Sequence, residues 1–227
     1  MTLDQILYGV FPYVAVTLAL VGTIWRYKSD RFSVSSLSSQ FLENRKLFWG
    51  SVPWHYGILF ILTGHLTAFL IPRTVLLWNG HPLRLYVLEA SALAFGFLTL
   101  WGLSMLIYRR FTNARILAVT SPMDVILLLA LLTQVVAGLW IAIFYRWGSS
   151  WYSAFAVPYL YSLLLFKPDV ALVSNLPFMV DLHIVGGFVI LMLLPFTRLI
   201  HLLAFPYAYL WRPYQVVIWN RRQTSQK

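Results

Sequence analysis

Four stretches of this chain, Ile6–Trp25, Val52–Ile71, Leu85–Tyr108 and Met123–Tyr145, are long, apolar and almost free of charge. A helix needs about 20 such residues to cross a hydrocarbon layer roughly 30 Å thick. A fifth stretch, Phe178–Phe205, has the length but carries more polar side chains. Composition agrees: 60% of the 227 residues are hydrophobic and 11% are charged, against about a quarter charged in a soluble domain. The expected fold is an all-α membrane protein, a single domain over residues 1–227 with five transmembrane helices and a tail at 206–227.

The net charge of +10 does not indicate nucleic acid, because the basic residues flank the apolar stretches, where they anchor and orient them. With five spans, thirteen Lys and Arg residues fall on one side: Arg26 to Lys46, Arg109 to Arg115, and Arg198 to Lys227. Arg73, Arg84, Arg146 and Lys167 fall on the other. Counting Gly148–Phe166 as a sixth span would erase that bias. The positive-inside rule therefore selects five spans, with the N-terminus outside and the C-terminus cytoplasmic. Residues 146–177 become an outer connection lying along the interface or packed on the bundle. The N-terminus has no basic region or cleavage site and reads as a retained first span. The absence of cysteine excludes disulfides and thiolate-bound metal within the chain.

Histidines carry the chemical signal. His55 and His65 lie in the second stretch, His183 and His201 in the fifth, and His81 in the outer turn before the third. Ionisable groups at membrane depth are costly and mark functional sites, although any single histidine is equally accounted for by a backbone bond or helix contact. His55 and His65 are ~15 Å apart along a helix and point ~80° apart, whereas His183 and His201 lie five turns and ~27 Å apart on one face. Antiparallel neighbours would bring His65 to His183 outside and His55 to His201 inside. Such pairs suit two haems, each clamped through its iron by an imidazole from either side. The unequal spacings require tilt or a kink at Pro195. Zinc or copper would need three or four ligands at one depth. Gly57, Gly64 and Gly186-Gly187 provide room for a flat macrocycle or for ordinary close helix packing.

The segments Ser38-Ser39-Gln40, His55-Tyr56-Gly57-Ile58, Gly64-His65 and Pro195-Phe196-Thr197-Arg198-Leu199-Ile200-His201 resemble the gamma subunit of respiratory nitrate reductase, a membrane cytochrome b. So do Pro206, Tyr209-Leu210 and Tyr214-Gln215-Val216-Val217. The resemblance implies a subunit in the cytoplasmic (inner) membrane with two b haems, the outer held by His65 and His183 and the inner by His55 and His201. It implies quinol oxidation near the outer haem. Electrons would pass to an iron–sulfur beta subunit and a molybdenum alpha subunit on the cytoplasmic face, with no nitrate-reducing site in this chain. The family's quinol-site lysine has no counterpart between Lys46 and Lys167. Gly64, His65, His81 and Glu89 are the remaining candidates there, His81 reading more readily as an ordinary loop histidine and Glu89 nearly as readily as an interface residue. Arg198 offers itself to a haem propionate or simply marks the cytoplasmic boundary. Asp181 either meets an outer charge or opens the fifth helix. The aromatic and arginine side chains of the tail, Tyr207, Tyr209, Trp211, Arg212, Tyr214, Trp219, Arg221 and Arg222, suit a docking surface or a membrane interface. Competing readings are the dihaem anchor of another quinone-linked oxidoreductase, including one oxidising nitrite with reversed electron flow, and a proton-coupled transporter using the four histidines as relays.

Overall fold

A computed structural model describes residues 2–204 and Trp211, and within them all the regular secondary structure is helical. A π-helical turn, Gln5–Val10, leads into α1 (Phe11–Ser29). Then follow α2 (Arg45–Leu70), the short α3 (Pro72–Asn79), α4 (Pro82–Thr112), α5 (Ala114–Leu117) and α6 (Pro122–Phe144). Beyond α6 come α7 (Gly148–Trp151), a π-helical turn Tyr152–Ala156, α8 (Val157–Leu164) and α9 (Phe178–Leu193).

Helices α4 and α6, together with Gln5–Ser29 and Phe178–Phe196, are individually long and apolar enough to cross a membrane. The second expected span differs in form. Helix α2 ends at Leu70, and the chain turns by 106° into α3, because Pro72 cannot continue the preceding hydrogen-bond ladder. Taken together as one bent span, α2 and α3 bring the possible number to five.

Around the bundle, α2 packs on α4, α4 on α6, α6 on α9, and α9 on α1. Helices α2 and α4 touch backbone to backbone. A Cβ on Gly57 would fall 2.8 Å from the Thr99 nitrogen, and one on Gly102 would fall 2.3 Å from the Trp54 nitrogen. Small residues permit such approaches in membranes, where dispersion and polar contacts drive packing.

The connection from α6 to α9 folds largely as helix and packs on the bundle. Tyr159, Leu163 and Val173 form a buried cluster with Tyr8, and the Tyr159 hydroxyl donates to the Tyr8 carbonyl at 2.8 Å. Asp181 meets the Tyr8 hydroxyl, joining the start of α9 to the start of the first span.

Two sequence expectations require correction. The fifth stretch is not one α-helix to Phe205, which lies outside the described residues. Helix α9 stops at Leu193 and is followed by 3-10 turns at Leu194–Phe196 and Arg198–Leu202, separated by an extended Thr197. The carbonyls freed around Pro195 are recovered by Arg26, which donates to Pro195 O at 2.6 Å and Thr197 O at 2.9 Å. Secondly, among the described residues α2 and α9 make no extended contact. They face each other across the open side of the bundle instead of packing as neighbours.

Candidate functional site

Across that open side the histidines meet in two pairs. The rings of His65 and His183 have centroids 6.4 Å apart, and those of His55 and His201 6.2 Å apart. Two side chains set end to end hold their helices farther apart than the ~8–10 Å of packed helices, which accounts for the lack of direct α2–α9 packing. The break after Leu193 also replaces the ~27 Å rise expected of a continuous helix, so His201 reaches His55 from a redirected segment.

Every ring in the set is oriented through Nδ1. His55 bonds to Ser51 O at 2.7 Å, His65 to Ile61 O at 2.9 Å, His183 to Gln134 O at 3.1 Å and His201 to Arg198 O at 2.6 Å. A carbonyl can only accept, so Nδ1 carries the proton and a neutral ring keeps its lone pair on Nε2. This is the arrangement that metal-ligating histidines adopt. With metal–nitrogen bonds of ~2 Å and each nitrogen ~1.1 Å from its ring centroid, imidazoles on opposite faces of one metal place centroids ~6 Å apart. Among the described residues no group of three or more His, Cys, Asp or Glu converges as a multidentate metal site. The donor set therefore suits a metal whose other positions are filled by a macrocycle.

The two pairs have different surroundings. Tyr152, in the π-helical turn, stands edge-on to His65 at 5.1 Å and donates to its carbonyl at 3.3 Å. Burial raises its phenol pKa, as does neighbouring Tyr161, so the hydroxyl remains a donor. Contacts of Phe60 with Phe95, Gly57 with Thr99 and Trp54 with Gly102 define an antiparallel α2–α4 register. Continued, that register brings Glu89 to the level of Thr67, close to His65. Glu89 accepts from Ser149 at 3.2 Å and lies 3.7 Å from the exposed Arg146 guanidinium. Gly64 faces open space, with nothing within 4 Å of an added Cβ. His81 is exposed at the start of α4 and caps no backbone group.

At the other pair, Arg198 is held by protein groups. It donates to both oxygens of buried Asp124, at 2.6 and 3.1 Å, and to the carbonyls of Leu37 and Val119. Arg110 joins Asp124 at 3.2 Å. Arg109, also buried, binds Glu43 at 2.7 Å and Ser39 at 3.0 Å. Sequence reasoning missed Tyr152, Gln134 and Asp124. A glutamine at membrane depth was the visible signal for Gln134, and the Ser121–Asp124 capping box was the signal for Asp124. Tyr152 left none, being one of several aromatics in its segment. The tail residues 205–210 and 212–227 lie outside the described part, and Trp211 is exposed.

Long apolar helices arranged around two opposed imidazole pairs define a polytopic membrane protein with ligand-type histidines at two levels. The sequence model of the nitrate reductase gamma subunit family matches residues 4–220, and the chain belongs to that family. It is 36% identical over 222 residues to the nitrate reductase gamma chain of Bacillus subtilis, covering 96% of this chain and 98% of that one. It is 34% identical over 221 residues to the respiratory nitrate reductase 2 gamma chain of Escherichia coli, covering 95% and 96%. Similarity to the nitrate reductase-like protein NarX of Mycobacterium tuberculosis is 32% over 226 residues, 97% of this chain and 34% of that protein.

Proposed function

We propose that this chain is the dihaem cytochrome b subunit of a quinol-oxidising nitrate reductase in the cytoplasmic membrane. The carrying observation is the two facing imidazole pairs, each ring with Nδ1 committed to a carbonyl. His65 and His183 would hold the outer haem, and His55 and His201 the inner. Bound haem supplies a one-electron carrier at each level. The histidines fix the axial donors, and their ~15 Å spacing along α2 sets two stations through the bilayer.

In the five-span topology favoured by the basic residues, the His65 pair lies toward the outside. Quinol would bind beside Gly64 and His65, under the helical connection that presents Tyr152. Glu89 is the group placed to accept a quinol proton, Ser149 and Arg146 holding its carboxylate toward the outer face. His81, exposed at the same end, is the alternative acceptor.

Electrons would leave at the inner end to an iron–sulfur beta subunit that serves a molybdenum alpha subunit. The loop between the first two helices supports docking there: Phe32 is 90% exposed and Phe41 fully so. Arg198 is given a structural role in place of a propionate contact, since Asp124 and two carbonyls take four of its five N–H donors.

The test is the visible spectrum and haem content of protein purified from haem-replete cells. Two low-spin b haems per chain are expected, with His65→Ala or His183→Ala removing one and leaving the other. A colourless preparation, or loss of both haems from either folded variant, would overturn the proposal.

A further inference from the structure

Three of the four rings take their orientation from their own segment, His55 and His65 from the carbonyl one turn earlier in α2 and His201 from Arg198. His183 is the exception, because its Nδ1 donates to the main-chain carbonyl of Gln134, on α6. The contact is reciprocal: the Gln134 side-chain amide donates back to His183 O at 2.8 Å. One residue thus grips the histidine at both ring and main chain.

The neighbouring positions are shaped around this grip. A Cβ on Gly138, one turn along α6, would come within 2.9 Å of His183 Cε1. A Cβ on Gly186 would come within 2.5 Å of Gln134 Oε1. That oxygen is buried and has no hydrogen-bond partner among the described residues. An amide at membrane depth with an unsatisfied oxygen is a net cost, and the return is the hold on His183.

We propose that Gln134 is a positioning residue for His183, tying the plane of that imidazole, and through it the properties of the metal it binds, to helix α6. The inference rests on the haem reading above. The ring planes of His65 and His183 are inclined by 45°, and those of His55 and His201 by 67°. The mutual angle of axial imidazoles governs the anisotropy of a low-spin ferric haem's EPR signal, and ligand hydrogen bonding tunes its potential. Releasing the Gln134 amide from His183 O frees the α9 main chain to shift relative to the α6 carbonyl that holds the ring, and so acts on one haem of the two.

The experiment compares purified wild type with Gln134→Met, which keeps length without a donor, and Gln134→Asn, which keeps the amide but falls short; both retain the main-chain carbonyl under the ring and remove only the amide's hold on His183 O. Haem content, EPR and redox titration are measured, the two signals being assigned by the single-haem variant His65→Ala. The expected result is a displaced EPR signal for the outer haem only. Its reduction equilibrium should change about tenfold, or ~59 mV for one electron, while the inner haem keeps its wild-type values. Two unchanged signals in either variant, or equal displacement of both, would overturn the assignment of Gln134 alone. Failure of both variants to assemble would assign Gln134 to folding and overturn it equally. Wild-type protein without haem would overturn the haem reading as well.

Discussion

Gly57 and Gly64 lie seven residues apart on α2 and meet opposite surroundings. Gly57 abuts Thr99, whereas Gly64 faces open space. Gly57→Val should cost at least about 1–3 kcal/mol through overpacking, read as a lowered unfolding temperature in detergent. Gly64→Ala should leave stability within about 0.5 kcal/mol yet slow haem reduction by added quinol, if quinol binds there. In the sequence both glycines carried the same ambiguity between cofactor room and helix packing. Asp124 poses a sharper case, since it balances Arg110 and Arg198 and the main-chain carbonyl of Arg198 accepts a hydrogen bond from the His201 ring Nδ1–H. Removing one partner of a buried ion group costs about 3–5 kcal/mol, and toward the lower figure here because Arg198 is partly exposed. Asp124→Ala should lower thermal stability accordingly and perturb the inner haem before the outer.

Among the elements, the broken end of α9 does the most to place a ligand. Pro195 announced a bend, and residue spacing alone required one. The extended Thr197 and its rescue by Arg26 were not legible, because Arg26 belongs to another helix and read as a boundary charge. An unsatisfied buried carbonyl costs about 1–3 kcal/mol. Arg26→Leu should therefore destabilise the protein by a few kcal/mol and weaken retention of the inner haem, measured by haem stoichiometry after purification. The connection α7–α8 shows a similar limit: its packing on the bundle was one of two expectations, the other being a place along the interface, and its delivery of Tyr152 to His65 depended on a register that no local pattern encodes.

At the scale of the whole molecule, the loop joining α1 to α2 is tied to the bundle by Glu43 and Arg109. Burial alone would raise the Glu43 pKa, but the Lys46 N–H and the Arg109 guanidinium outweigh it and hold the carboxyl below its usual range. A depressed folded pKa stabilises above the unfolded value of about 4.3, and the contribution is lost as pH falls through the folded value. The difference in unfolding temperature between wild type and Glu43→Gln should thus be full near neutrality and vanish in acid. The same loop exposes Phe41. Phe41→Ser should reduce co-purification of the proposed iron–sulfur and molybdenum subunits while leaving the proposed haems in place, and undiminished capture would remove this loop from the docking surface.

The sequence by itself determined that the chain is built for a bilayer, roughly where its helices run, and which four histidines could meet as two pairs. Those properties follow from local quantities, namely the length of an apolar run and the cost of a polar side chain within it. Only the tertiary structure decided that α2 and α9 face one another without packing, that α9 breaks to bring His201 to His55, and that Gln134, Asp124 and Tyr152 attend the paired histidines. Each of those depends on how distant segments meet, and a hydrogen bond between residues tens of positions apart has no local periodicity to reveal it.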